Sequence, residues 1–330
     1  MSTLFIGSTG PGSGRSLMAW FLAERLADQG LQVGFVKASS DPAVVAIPGK
    51  EDHDLALMQH LLGKAAVQDD WGERADVRIV MGSQRIFSDF MGSAVPDTQL
   101  VRELQAQICL MDRYENLATS IYSILSIHSL FKGSVRIVVV NRVPSSEVDS
   151  VRTRLVPLLH AQGIPAVAVL PEDQVLSSLC LAKICQALSA KVLLGEEHLG
   201  RIVGGYTRQA YSLVGPLSIF RKVYGKLVLL ALLREEGTPS DYSEEALASV
   251  AGILLTSGRL PSHALLEAAG KAEIPLLLTS MDTFGAFDGI QSASSPITKE
   301  DRYKQARFSE LLRPQITTKV PLCAVFNLTP

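Results

Sequence analysis

Cysteine is scarce. Only 4 of the 330 residues are Cys, and Cys109, Cys180, Cys185 and Cys323 form neither a CxxC pair nor a Cys/His ligand spacing. Too few for a disulfide scaffold and wrongly spaced for zinc, they read as buried thiols in a reducing cytosol. A surplus of charge is missing as well. The chain has 31 Lys and Arg against 33 Asp and Glu, a formal net charge of −2. Binding a run of phosphates on nucleic acid needs excess cation, so no nucleic-acid partner is expected. The two tryptophans, Trp20 and Trp71, lack the basic interleaving of a base-stacking surface.

Long apolar runs are absent too. No run is longer than Leu227 to Leu233, which falls far short of the ~20 residues that span a bilayer. The opening Met1-Ser2-Thr3-Leu4-Phe5-Ile6 has no basic segment of the kind that begins a signal peptide. A cytoplasmic protein with no membrane partner is expected. His53, His60, His128, His160, His198 and His263 are scattered, with no HExxH motif and no GxSxG nearby.

What is present is an ordinary globular balance, 47 % hydrophobic and 19 % charged, in a chain long enough for two domains. Short apolar runs at Leu4–Ile6, Val33–Val36, Val77–Val80, Ile108–Met111, Ile137–Val140 and Val167–Leu170 alternate with helical patterns. Strands apolar on both faces and separated by helices imply an α/β fold with a parallel sheet covered on both sides. Near residue 195 a second αβ pattern begins, with strands expected at Leu227–Leu232, Ile253–Leu255 and Leu276–Leu278 and a helix at Ser262–Glu273. From Ser292 the chain turns polar. The boundaries expected are 1–198 for the first domain, 199–292 for a smaller αβ domain, and 293–330 for a surface helix, roughly Lys299 to Leu312, with a tail.

The most informative segment is Gly7-Ser8-Thr9-Gly10-Pro11-Gly12-Ser13-Gly14-Arg15-Ser16, between the first strand and the first helix. Glycines let a loop curl its N–H groups inward around a phosphate, and the helix that follows adds its positive end. Thr9, Gly10, Gly12, Ser13, Gly14, Arg15 and Ser16 are the expected phosphate-binding residues, with the Ser16 hydroxyl placed to meet Mg²⁺. The strict G-x-x-x-x-G-K-[ST] pattern is not met, because Thr9 replaces its first glycine and Arg15 its lysine. Arginine is a wide fork and does not substitute for the compact lysine charge.

These residues resemble the loop of the dethiobiotin-synthetase-like, phosphotransacetylase-type P-loop family. The resemblance continues at Val33-Gly34-Phe35-Val36-Lys37, Asp52-His53-Asp54-Leu55, Arg113-Tyr114, Val140-Asn141-Arg142-Val143-Pro144 and Leu170-Pro171-Glu172-Asp173. After Gly195-Glu196-Glu197-His198 the chain is similar to the DRTGG module, through Leu254-Leu255-Thr256-Ser257-Gly258 and Asp282-Thr283-Phe284. The resemblance implies a P-loop NTPase-like domain binding ATP or ADP with Mg²⁺. It makes Lys37 a catalytic lysine beside the phosphates, Asp52 and Asp54 metal-side carboxylates, and Asn141 a reader of the adenine edge.

The departures shape the expected function. Met81-Gly82 stands where the family has Glu-Gly, Ala38 follows Lys37 in place of proline, and Arg234-Glu235-Glu236-Gly237-Thr238 is the nearest stretch to an Asp-Arg-Thr-Gly-Gly run. A thioether is a poor Mg²⁺ ligand. The chain therefore reads as a nucleotide-binding regulatory protein or weak ATPase. Its rivals are a carboxylate-activating ligase using Lys37 and a scaffold with a vestigial pocket. No acetyltransferase domain follows the second module, so acetyl transfer is not expected. The family resemblance implies a homo-oligomer, and a regulatory role adds a protein partner.

Overall fold

The computed structural model describes residues 2–38, 52–63, 66–67, 75–83, 85–86, 96–131, 133–203, 205–209, 226–230, 250–261, 263–292, 297–298, 301–316 and 322–326. The chain divides into one unit of residues 1–176 with 296–330 and a second of residues 177–295. Trp71 and Arg234 to Thr238 lie outside the described residues, as does the end of the strand expected at Leu227–Leu232.

The first unit is built on β1 (Ser2–Ser8), β2 (Val33–Lys37), β3 (Val77–Met81), β4 (Gln107–Arg113), β5 (Val135–Val143) and β6 (Ala166–Pro171), in the order β2-β3-β1-β4-β5-β6. Every neighbouring pair is parallel. Parallel strands need crossovers, and helices α1 (Arg15–Asp28), α2 (His53–Leu62), α3 (Asp97–Glu103), α4 (Leu117–Phe131) and α5 (Val148–Ala161) lie in those connections.

The two-residue period of a strand sorts the core into two layers. Leu4 and Ile6, Cys109 and Met111, and Ile137 and Val139 face one side, with Leu17, Phe21 and Leu22 of α1. Phe5, Ile108, Leu110, Val138 and Val140 face the other, with Ile124 and Ile127 of α4 and Val151 and Leu155 of α5. A sheet sandwiched this way leaves its carboxyl edge free for loops, and that edge carries the site.

Two expected boundaries are corrected. The helix Arg302–Ile316 belongs to the first unit and does more than cover its surface: Arg302, Glu310 and Arg313 are exposed, while Phe308, Leu312 and Ile316 on the other face are buried in that unit's core. Phe308 packs edge to face on Phe21, with ring centroids 6.4 Å apart at 79°. Residues four apart share one face of a helix, so this stripe was present in the sequence, masked by the charges of Arg302, Arg307 and Arg313 around it. The first domain also ends earlier than 198, because β8 (Lys191–Leu194) pairs antiparallel with a strand of the second unit.

In the second unit, β7 (Leu179–Cys180) and β9 (Ile202–Val203) form a short antiparallel pair. The main sheet comprises β10 (Gly205–Gln209), β11 (Lys226–Leu230), β12 (Val250–Leu255) and β13 (Leu276–Leu278) with β8, in the order β10-β11-β12-β13-β8. Helices Leu181–Leu188, His263–Lys271 and Thr283–Ser292 accompany it. Leu265 and Ala269 pack with Ile253, Leu255 and Leu276, while Leu181, Ile184 and Ile290 pack with Leu254 and Leu277.

Candidate functional site

β1 sits between β3 and β4. The connection through α1 leads from β1 past β3 to β2, whereas α4 leads from β4 the opposite way to β5. Connections that part in opposite directions leave a crevice at the carboxyl ends of the strands. Residues 9 to 14 follow the carboxyl end of β1, at that edge of the sheet.

The loop is held from within by Ser8, whose hydroxyl meets the Gly10 carbonyl at 2.7 Å and Ser13 Oγ at 2.8 Å. Thr9 Oγ1 donates to Asp112 Oδ1 at 2.7 Å, and Asp112, at 2 % exposure, also accepts from Ser120 Oγ at 2.6 Å. Burial pushes the Asp112 carboxyl above its usual range, and the two hydroxyl donors partly oppose this. Gly12 and Gly14 have φ of +70° and +102°, which a side chain resists. A Cβ on Gly14 would also stand 2.9 Å from Asn141 Nδ2.

Asn141 is buried, donates from Nδ2 to the Ser13 carbonyl at 2.8 Å, and accepts the Arg142 N–H at Oδ1. The structure thus sets Asn141 under the loop as a support. Among the described residues, no acceptor meets the backbone N–H of any residue from Gly12 to Leu17. These are six successive amides, the last three of them in the first turn of α1, where helix N–H groups have no intrahelical acceptor.

Beside the loop the structure brings together Ser16, Lys37, Asp52 and Asp54, which are distant in sequence. Ser16 Oγ donates to Asp54 Oδ1 at 2.6 Å. Lys37 Nζ lies 2.7 Å from Asp54 Oδ2 and 2.7 and 3.0 Å from the two Asp52 oxygens. Asp52 also caps α2, accepting from the Asp54 and Leu55 amides. Burial by itself would lower the Lys37 pKa, but the Asp54 charge and the hydrogen bonds to both carboxylates reverse it, and the net shift is upward. Burial likewise opposes ionisation of Asp52, and the Lys37 contact outweighs it, leaving Asp52 lowered.

A pH dependence follows. A lowered carboxyl adds stability above its ordinary pKa and loses it as pH falls through the folded value. A raised ammonium adds stability below its ordinary pKa and loses it only above that. The melting-temperature gap between wild type and Lys37→Met is therefore expected to be widest between about pH 5 and 9 and to close below about pH 3. A gap constant from pH 3 to 9 would show that the pairing contributes nothing.

Arg15 reaches across to the residues after β3. Its Nη1 donates to the carbonyls of Gly82 and Ser83, the latter at 2.8 Å. Burial lowers its pKa, while Asp54 and Asp97 favour the charged form. Met81, expected as a departure from a metal-binding glutamate, is buried in the core. A carboxylate beside this position is Asp97, at the start of α3, which accepts from the Ser83 amide and hydroxyl at 2.8 Å.

Sequence reasoning missed a cationic rim. Arg85 Nε donates to the Thr9 carbonyl at 3.1 Å and Arg113 Nη1 to the Pro11 carbonyl at 2.9 Å. A Cβ on Gly12 would lie 3.6 Å from Arg113 Nη1 and 3.9 Å from Arg142 Nη2. Burial and the Arg113 charge lower the Arg142 pKa, against the opposing pull of Glu172. The available signal was an arginine at the carboxyl end of each of two neighbouring apolar strands, where Arg113 pairs with Asn141 in register.

The model of the DRTGG domain matches residues 183–293. The second unit carries a DRTGG domain. The DRTGG match opens before residue 199, in keeping with β8 lying in this unit's sheet.

Three solved structures are similar in part. The CBS and DRTGG domains of the regulatory region of Clostridium perfringens pyrophosphatase, complexed with the activator diadenosine tetraphosphate, match at TM-score 0.27 and 19 % identity over 36 % of this chain. That match spans about half, 48 %, of the other chain. A nucleotide-binding protein from Archaeoglobus fulgidus in complex with ADP matches at 0.30 and 15 %, over 52 % of this chain and 82 % of that one. Hydrogenase maturation factor HypB from the same organism matches at 0.26 and 14 %, over 51 % and 80 %. At TM-scores this low, none of the three supplies an argument about this chain's chemistry.

Proposed function

We propose that the first unit binds ATP or ADP through the loop of residues 9–16 and that the DRTGG domain makes the protein a nucleotide-responsive regulator. The observation that carries this is the row of six amides from Gly12 to Leu17 with no acceptor among the described residues. Left dry, such groups cost free energy; a phosphate at a helix N-terminus satisfies them and the helix dipole together. The three rim arginines add cationic forks suited to phosphate oxygens.

Slow or absent turnover belongs to the same proposal. Arg15 is engaged by the Gly82 and Ser83 carbonyls, and Lys37 is held by two carboxylates, so neither is aimed at a transferring phosphoryl group. A reducing compartment agrees with the four free thiols, of which Cys109 is buried.

Calorimetry and thermal melting of the whole chain with ADP and with ATP test this reading. A ligand at a hundred times its Kd is expected to raise stability by about 2.7 kcal/mol. Neither heat nor a melting shift at high micromolar nucleotide would leave the scaffold reading in its place.

A further inference from the structure

A divalent cation at a phosphate-binding loop needs oxygen ligands whose charge is still available. Mg²⁺ takes near-octahedral geometry and binds through one or two protein carboxylates while keeping several waters. Ser16, Asp52 and Asp54 offer the right chemical type, hard oxygens, and so fit the expectation by element. Their partners tell against it. Each of the four oxygens of Asp52 and Asp54 already accepts a hydrogen bond from within the chain: Lys37 takes both oxygens of Asp52 and one of Asp54, and the Ser16 hydroxyl takes the other.

The third carboxylate nearby, Asp97, is equally committed. It is 3 % exposed, holds the Ser83 amide and hydroxyl, and lies within electrostatic reach of Arg15. Arg15 fills the space after β3 with two carbonyl contacts. Two fixed cations thus stand among three carboxylates, and a metal would have to expel one of them.

We propose that Lys37 and Arg15 occupy the place of the divalent cation, so that the species bound by the loop is the metal-free nucleoside polyphosphate rather than its metal chelate. This rests on the nucleotide reading above. The charge that a chelated metal would cancel falls instead to the rim: Arg113 and Arg142 approach one point beside Gly12, and Arg85 Nη2 lies 3.9 Å from the Cβ position of Gly10. Glu172 is the acidic group facing Arg142. Asp112 is turned inward, to Thr9 and Ser120.

The test is ADP titration of the wild-type chain in excess EDTA and in excess Mg²⁺, followed by Mn²⁺ titration without nucleotide. The expected Kd for ADP in EDTA is within about threefold of that in Mg²⁺, or tighter, where tenfold corresponds to about 1.4 kcal/mol. Mn²⁺ alone is expected to produce no saturable heat. In Lys37→Met, which frees Asp52 and Asp54, Mn²⁺ binding is expected to appear and ADP affinity in EDTA to fall by on the order of tenfold, with Mg²⁺ restoring it.

A tenfold or greater loss of ADP affinity on moving wild type into EDTA overturns the proposal, as does saturable Mn²⁺ binding to the wild-type chain. If ADP fails to bind in both buffers, the nucleotide reading falls, and the Mn²⁺ titration still decides whether Lys37 and Arg15 exclude a metal. Should Lys37→Met not fold, the two wild-type titrations suffice.

Discussion

Replacing Gly14 with alanine is expected to weaken nucleotide binding by on the order of tenfold to a hundredfold while leaving the first unit folded. The residue sits at φ +102°, just before α1, where a Cβ is strained by roughly 1–3 kcal/mol. The added methyl would also stand 2.9 Å from Asn141 Nδ2 and 3.4 Å from Met111 Cε. Asn141 cannot retreat without giving up the Ser13 carbonyl, so the loop has to uncurl and scatter its amides. The effect falls on binding because the affected groups bond no other part of the described chain. ADP calorimetry on Gly14→Ala, with circular dichroism to establish folding, measures it. An unchanged Kd would mean that the curl of this loop is not what holds the ligand.

Truncating Phe308 to alanine is expected to cost about 3–5 kcal/mol of the first unit's stability, as for other large aromatic residues removed from cores. Phe308 is 1 % exposed and rests on Phe21 of α1, in the same cluster as Leu312 and Ile316. Urea denaturation followed by fluorescence or circular dichroism provides the measurement. A loss under about 1 kcal/mol would show that the helix Arg302–Ile316 is dispensable to the core, as the sequence reading of a surface helix had implied. Because α1 begins at the loop, detaching this helix should also lower ADP affinity, whereas a purely superficial helix would leave it untouched.

The contrast between these two positions shows where legibility ends. Gly14 was visible from its neighbours, since a glycine-rich turn between a strand and a helix is a local pattern with a local cause. Phe308 was part of an equally local stripe, yet its burial depends on Phe21, almost the whole chain away. The parallel sheet was readable because strands buried on two faces carry unbroken apolar runs in their middles, as Leu4–Ile6 of β1, Ile108–Met111 of β4 and Ile137–Val140 of β5 do. The domain boundary was misplaced because β8 resembles any other short apolar run, and its allegiance is settled by pairing with β13.

The candidate site divides in the same way. Amino-acid order alone determined the curl of the glycine-rich loop, the alternation of strands and helices, and the presence of a second, smaller αβ module, because backbone freedom, apolar period and turn chemistry act over a few residues. Only the tertiary fold decided that Arg15 turns to the Gly82 and Ser83 carbonyls, that Lys37 is clasped by Asp52 and Asp54, and that Arg85, Arg113 and Arg142 gather around the loop. Those contacts join the ends of strands brought side by side by the sheet, and Coulomb attraction depends on distance through space and not along the chain.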